Sequence, residues 1–340
     1  MNHLARLFIL LNTIILLCCT GKKWQRNQDS YSTDKQFKVV GYLMGSNFDK
    51  INLLELDRLT HLNLAFANPD QQGNLVFGNG IDLKPVVSKG HEHGLKVFVS
   101  LAGGGRPDTT IWKSVLDPAN RTAFISNILS FVETNNLDGV DVDIEWNLLP
   151  AIDSLYTPFV VELMTALHEK GKSITTALGA TDLHPAVTQE SLEAYDFINV
   201  MVYDKTGSWR PDDIGPQSPY SYAEEAMAYW IGERGIPADQ IILGVPFYGF
   251  DFTPPAQYIS YRNLVKEDPN NAYRDSVDSK YFNGITTIVK KTDLAKKALG
   301  GIMIWEISHD TLGHMSLLRA LDQTLSAQDC TVSIFYKDED

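Results

Sequence analysis

The sequence has few cysteines, no excess of basic residues and no long uninterrupted apolar run. Three cysteines in 340 residues exclude a disulfide framework. The 29 lysines and arginines are outnumbered by 42 acidic residues, and the net charge of −13 excludes general electrostatic binding of nucleic acid. The apolar run at 7–17 is too short to span a bilayer. With 44% apolar and 21% charged residues, the composition is that of an ordinary globular protein.

The first 36 residues predict export. The run at 7–17 has the length of the apolar region of a signal peptide, and it ends at Cys18 and Cys19. An apolar run that closes on cysteine resembles the lipoprotein signal of bacteria, which implies removal of residues 1–18 and lipidation of Cys19. A plain secretory signal is the alternative. Because residues 19–36 are polar, we expect a tether on an exported bacterial lipoprotein that meets the membrane only through its lipid.

The remaining chain alternates between strand and helix patterns. Segments rich in Val, Ile, Leu and Thr predict eight strands, at 37–42, 61–67, 96–102, 139–145, 173–178, 197–203, 240–247 and 301–305. Stretches of helical period such as 122–134 and 153–171 lie between them. This alternation predicts an α/β fold, a single (β/α)8 TIM barrel over 37–328 with a tail at 329–340. A doubly wound sheet is the alternative, but no glycine-rich phosphate turn follows the first strand.

The predicted fourth strand carries three acids at alternate positions. Asp141, Asp143 and Glu145 share one face because side chains alternate along a strand, while the opposite face is branched and apolar. The apolar face suits the helix layer, so the acids are predicted to line the barrel interior. Crowded carboxyl groups cannot all ionise cheaply, and at least one proton is expected to remain near neutral pH. A solvated polar edge and a cage of oxygen ligands for a metal are the alternatives.

The segment D-G-V-D-V-D-I-E at 138–145 resembles the signature of family 18 glycoside hydrolases, the chitinase family. Further landmarks are similar, including M-V-Y-D at 201–204 and G-G-I-M-I-W at 300–305. One departure is Ala102, where the family has glycine at the end of the third strand. The resemblance extends over about residues 38 to 325. It implies a TIM barrel that cleaves N-acetylglucosamine polymers without a cofactor or a metal.

The resemblance also implies roles in a retaining, substrate-assisted reaction, in which the substrate's N-acetyl oxygen attacks its own anomeric carbon. Glu145 is then the general acid and base, and Asp143 holds the acetamido N–H. Asp141 shares a proton with Asp143, and Tyr203 donates its hydroxyl to the acetamido oxygen. The residues expected to contact the sugar are Trp305, Met201, Asp204, Tyr42, Phe66 and Trp146.

Two classes of function stay open at this point. The first is a hydrolase acting on β-1,4-linked N-acetylglucosamine, either a chitinase or an endo-β-N-acetylglucosaminidase that releases N-glycans. The second is a barrel that binds chitin or glycans without cleaving them. The residues from 250 to 299 leave room for a helix and loops but hardly for a large α+β insertion, which favours an open groove and internal cleavage. We expect a monomer with a glycan as its partner.

Overall fold

The computed structural model describes residues 37–327 apart from 79, 106 and 182. The predicted signal peptide, the tether with Cys19 and the tail at 329–340 lie outside the described residues. In the described part, no helix has the length and apolar character needed to cross a membrane.

The strands and helices follow one another in the predicted alternation. The strands are β1 (Lys38–Met44), β2 (His61–Pro69), β3 (Leu75–Phe77), β4 (Lys96–Ala102), β5 (Gly139–Asp143), β6 (Ser173–Gly179), β7 (Phe197–Met201), β8 (Ile241–Pro246), β9 (Tyr248–Asp251), β10 (Gln257–Ser260), β11 (Ser276–Val277), β12 (Lys280–Tyr281) and β13 (Gly301–Trp305). The helices are α1 (Lys84–Glu92), α2 (Thr109–Leu116), α3 (Arg121–Thr134), α4 (Leu148–Glu169), α5 (Gln189–Glu193), α6 (Tyr220–Met227), α7 (Tyr261–Glu267), α8 (Ile285–Ala298) and α9 (Leu317–Ser326). Helix α4 is kinked at Asp153.

Eight of these strands form a closed parallel barrel. They pair in the order β1, β13, β8, β7, β6, β5, β4, β2, and β1 also pairs with β2, which closes the ring. This confirms the predicted (β/α)8 barrel. The predicted fourth strand is shorter than expected. It ends at Asp143, because the amide of Leu148 already bonds the carbonyl of Glu145 as the chain turns into α4.

The two faces of β5 separate as the alternation predicts. Val140, Val142 and Ile144 are buried in the apolar layer between strands and helices. Asp141 and Asp143 point into the barrel, where they are 0% and 2% exposed. An acidic row inside the barrel, rather than a solvated edge, is therefore what the fold contains.

Between the seventh and eighth barrel strands lies a small additional sheet. Strands β10, β9, β12 and β11 pair antiparallel in that order, with α7 between β10 and β11. The prediction of a helix and loops here was incomplete, since strands of two to four residues also form. Such short strands make a compact lobe rather than a large α+β insertion.

Candidate active site

The predicted catalytic side chains meet at the carboxyl ends of the barrel strands. Asp141 and Asp143 lie on β5, and Glu145 follows two residues beyond its end. Tyr203 comes two residues after β7, and Trp305 is the last residue of β13. In a parallel barrel these ends open on the same face, which is where active sites of this fold lie.

Asp141 is the deepest acid, and side chains of other barrel strands donate hydrogen bonds to both of its carboxylate oxygens. Its Oδ2 accepts the hydroxyl protons of Tyr42 at 2.7 Å and Ser100 at 2.6 Å. Its Oδ1 accepts from Thr175 at 2.7 Å and from the Asn199 amide at 3.3 Å. Burial raises the pKa of Asp141, although the hydroxyl hydrogen bonds act in the opposite direction. The carboxylate is thus a fixed anchor beneath the other two acids.

Asp143 and Glu145 form a hydrogen-bonded pair above Asp141. Burial, followed by the charges of Glu145 and Asp141, raises the pKa of Asp143 well above its usual range. Burial also raises the pKa of Glu145 to about 7, with a further contribution from the charge of Asp204. The pair therefore retains a proton near neutral pH, as expected for crowded buried carboxyls.

The carboxyl group that pairs with Asp143 differs from the prediction. The resemblance implied sharing between Asp141 and Asp143, but the hydrogen bond of Asp143 is to Glu145. Asp141 is unsuited to that role because four other donors already occupy its two oxygens. The second oxygen of Asp143, Oδ1, is buried and has no hydrogen-bond partner among the described residues. It is a buried acceptor that the described residues leave unpaired.

Tyr203 and Asp204 lie on the segment that follows β7, which is two strands away from β5 in the barrel. The Tyr203 hydroxyl contacts only the Met303 sulfur, at 3.7 Å, among the hydrogen-bond contacts of the described residues. Burial and the nearby carboxylates raise its pKa, so it remains a donor. Asp204 accepts a hydrogen bond from the Tyr248 hydroxyl, and burial raises the pKa of Asp204 to about 6. Met201 packs inward beside the same interior cluster, as its parity with Tyr203 predicts.

Trp305 and Phe66 form an aromatic floor. Their rings stack with centroids 5.6 Å apart and an interplanar angle of 20°. Tyr42 contacts Trp305 from below at 5.6 Å, but it is 1% exposed and its hydroxyl is bonded to Asp141. The structure thus differs from the prediction that Tyr42 contacts sugar. Tyr42 supports the floor and Asp141 instead, because its position two residues before the end of β1 places it below the surface.

Trp146 is separate from that floor. It is 59% exposed, and its ring meets the edge of Trp209 at 6.1 Å. Trp209 is 43% exposed and in turn contacts Phe250 at 5.4 Å. These three rings form a second aromatic wall, one of whose members comes from the small sheet.

The sequence analysis did not predict several contacts that hold the site residues in place. Ser100, Thr175 and Asn199 hold Asp141, and Tyr248 holds Asp204. A signal for the first three was present, because they are polar residues on inward-facing positions of neighbouring strands. Tyr248 follows the seventh strand directly, but nothing in the sequence indicates that its hydroxyl turns back to the barrel.

The departure at Ala102 alters no catalytic side chain. Both Ala102 and Gly103 adopt left-handed backbone angles, with φ of 70° and 78°. Only Gly103 is restricted by space, since a Cβ there would lie 2.5 Å from the Phe66 ring. Glycine is therefore required at position 103. Alanine fits at position 102, although its positive φ imposes backbone strain.

No group of three or more His, Cys, Asp or Glu side chains that could hold a metal occurs in the described ranges. In addition, the oxygens of Asp141 are filled by hydroxyl and amide donors. Cations are coordinated by free oxygen lone pairs, so Asp141 is arranged to accept hydrogen bonds rather than to bind a metal.

Comparisons with known proteins agree with this geometry. The model of glycosyl hydrolases family 18 matches residues 38–310. The GH18 chitinase ChiB from the chitin utilization locus of Flavobacterium johnsoniae has a similar structure. It has a TM-score of 0.82 and 40% identity, and the alignment covers 86% of this chain and 94% of that chain.

Sequence relatives include Chitinase 1 of Aphanocladium album, 25% identical over 85% of this chain and 84% of the relative. A chitinase-like effector of Moniliophthora roreri is 30% identical over 62% of this chain. This chain spans 57% of that effector and 60% of a second one, from Moniliophthora perniciosa. The family model covers most of the barrel with its acidic strand, and this chain belongs to family 18 of the glycosyl hydrolases.

Proposed function

We propose that the protein hydrolyses β-1,4-linked N-acetylglucosamine polymers, chitin or chitooligosaccharides, with retention of anomeric configuration. The observation that carries the proposal is the arrangement around Asp143. Among the described residues its buried Oδ1 has no partner and the Tyr203 hydroxyl has only a weak contact to the Met303 sulfur, while the neighbouring Glu145 raises the pKa of Asp143. An acetamido group supplies the N–H and the oxygen that these two vacant positions require.

The reaction follows from these positions. Asp143 Oδ1 accepts the acetamido N–H, and Tyr203 donates to the acetamido oxygen, which turns that oxygen toward the anomeric carbon. As the oxygen attacks, the glycosidic bond breaks and Glu145 gives its proton to the leaving oxygen. Glu145, now a carboxylate, then takes a proton from the water that opens the cyclic intermediate. Two displacements at one carbon return the original configuration.

The remaining predicted contacts have complementary roles. Trp305 and Phe66 present an apolar floor, which suits the C–H face of a pyranose ring. Asp204 and Met201 border the same sugar, and Trp146 with Trp209 extends the aromatic surface along the groove. Known relatives bear the names of chitinases, and others those of a chitinase-like effector and a chitinase-like agglutinin. The presence of Glu145 in this chain supports the catalytic alternative.

Replacement of Glu145 by Gln tests the proposal. We expect turnover of chitotetraose to fall by about 10³-fold, because the amide cannot donate or take the proton, while binding of the oligosaccharide persists. Glu224→Gln, the same change on the exposed face of α6, serves as the matched control and retains activity. Rates are read by mass spectrometry and binding by calorimetry.

Substrate choice is decided by digesting chitooligosaccharides and a high-mannose glycoprotein side by side. Cleavage of the oligosaccharides supports a chitinase, whereas release of the N-glycan alone would make the enzyme an endo-β-N-acetylglucosaminidase. If wild type and Glu145→Gln bind these glycans equally and neither cleaves any of them, the barrel is a binding protein and the proposal is overturned.

A further inference from the structure

Lys291 is a buried cation with an unusual set of partners. It lies in α8 and is 0% exposed. Its Nζ donates to the backbone oxygen of Ser218 at 2.7 Å, to the Ser218 Oγ at 2.6 Å and to the Asn283 Oδ1 at 2.9 Å. No carboxylate of the described residues forms an ion pair with it. Burial lowers the pKa of Lys291 to about 7, which reflects the cost of an ammonium group held only by neutral oxygens.

The lysine sets the direction of the Ser218 hydroxyl. The Ser218 Oγ accepts from Nζ, which leaves the single proton of the hydroxyl for another partner. That proton goes to the backbone oxygen of Val202. Val202 immediately precedes Tyr203, and the hydrogen bond therefore connects α8 to the segment that carries a catalytic hydroxyl.

The residue before Ser218 holds the other side of the same segment. The Gln217 side-chain oxygen accepts from the Asp204 amide at 2.9 Å, and the Gln217 backbone oxygen accepts from the Lys205 amide at 2.9 Å. Asp204 has a φ of 60°, a left-handed angle that few non-glycine residues other than Asp and Asn adopt, and the hydrogen bond from its amide to Gln217 helps to hold it there. Gln217 and Ser218 thus hydrogen-bond the backbone of Val202, Asp204 and Lys205, on both sides of Tyr203.

We propose that Lys291 is a positioning residue for the reaction: it fixes Ser218, and through Ser218 and Gln217 it holds the backbone from 202 to 205 that presents Tyr203 and Asp204 to substrate. This inference rests on the proposed function for its catalytic consequence. Lys291 is not expected to contact substrate, because three neutral oxygens of the protein accept the three protons of its ammonium group.

The first variant is Lys291→Met, which keeps most of the side-chain volume and removes the donors. We expect kcat on chitotetraose to fall about tenfold and KM to change less, because a displaced Tyr203 loses contacts that matter most in the transition state. Hydrogen exchange measured by mass spectrometry or NMR reports the same loosening without reference to activity. The amides of Asp204 and Lys205 should exchange about tenfold faster, with the rest of the barrel unchanged.

Ser218→Ala is the second variant, and it decides the matter if Lys291→Met does not fold. It removes the hydroxyl that bonds Val202, so it should reproduce the loss in kcat and the faster exchange. In the double variant the two losses should not add, because both act through one connection. Lys290→Met makes the same chemical change at an exposed position of the same helix and should leave kcat and exchange unaltered.

Normal kcat and normal exchange at 204 and 205 in folded Lys291→Met or Ser218→Ala would overturn the inference. Uniformly faster exchange throughout the barrel would also overturn it, since that pattern indicates a general loss of stability. If wild type cleaves no N-acetylglucosamine oligomer, the proposed function fails. In that case the exchange of the two amides still decides the positioning role.

Discussion

At the scale of single residues, the chemistry of this site comes from burial. Asp143 and Glu145 lie close together in a largely apolar barrel, where the charged form of each is disfavoured and their pKa values rise. Asp141 is buried as deeply, but its four donors stabilise its negative charge. The same residue types on one strand thus acquire different roles from what surrounds them.

A pH profile tests the coupling between Asp204 and Glu145. As a general acid, Glu145 works while protonated, so kcat should decline as pH rises through its pKa of about 7. Because the charge of Asp204 helps to raise that pKa, Asp204→Asn should move the alkaline limb about half a unit toward lower pH. Asparagine tolerates the left-handed backbone at this position.

The measured quantity is the pH at which kcat declines on the alkaline side. Loss of a sugar contact would lower kcat at every pH without changing that value. Asp212→Asn, an exposed change in the loop that follows β7, should leave the limb in place. An unmoved limb in Asp204→Asn would contradict the proposed electrostatic coupling.

At the scale of elements, the start of α9 is tied to the loop that follows β13. Asp310 accepts the amides of Leu317 and Leu318, each at 2.9 Å, and the Ser316 hydroxyl at 2.7 Å. This satisfies donors that a helix leaves unpaired at its N-terminus. Burial nevertheless raises the pKa of Asp310 to about 6, because the hydrogen bonds compensate only part of the loss of solvation.

That burial predicts a pH-dependent stability. The pKa of folded Asp310 lies above the ordinary value of about 4, so its contribution to stability is complete below pH 4 and is lost as pH rises through 6. Replacement by Asn removes the titration. The free energy of unfolding of wild type relative to Asp310→Asn should fall by up to about 3 kcal/mol between pH 4 and 7.

Urea denaturation at several pH values measures this difference. Asp49→Asn makes the same change at an exposed aspartate and serves as the matched control. A pH-independent gap between wild type and Asp310→Asn would show that the cap does not titrate in this range.

At the scale of the whole molecule, two groups of aromatic rings lie at the end of the barrel that carries the site. The sheet formed by β9 to β12 adds Phe250 to one wall, but its short strands make a low lobe. Trp146 and Trp209 remain 59% and 43% exposed on the same side. Because the lobe is low, we expect the site to admit a polymer along its length and to cleave internal bonds.

Products of chitohexaose test this shape. We expect dimers, trimers and tetramers together at early times, because the chain can enter the groove in several registers. Time courses followed by mass spectrometry give the distribution, and Glu145→Gln supplies the blank. Dimers alone, released one after another from one end, would contradict an open groove.

The local sequence pattern is enough to predict the barrel and the acidic row. When apolar strands alternate with amphipathic helices, few folds bury both faces of the strands. The branched apolar residues at 140, 142 and 144 pack against the helices, so the acids between them point into the barrel. The family signature at 138–145 then identified Asp143, Glu145 and their neighbours, because it is long and contiguous in the chain.

The tertiary structure decided what single-strand patterns do not contain. Which acid shares the proton depends on donors from β1, β4, β6 and β7 that converge on Asp141. The hydrogen bond from Tyr42 to Asp141 joins residues 99 positions apart, and the bond from Tyr248 to Asp204 joins residues 44 positions apart. Lys291 reaches Val202 through a third residue, Ser218. Such contacts arise only when distant strands and helices close around one another, so packing in three dimensions determines them.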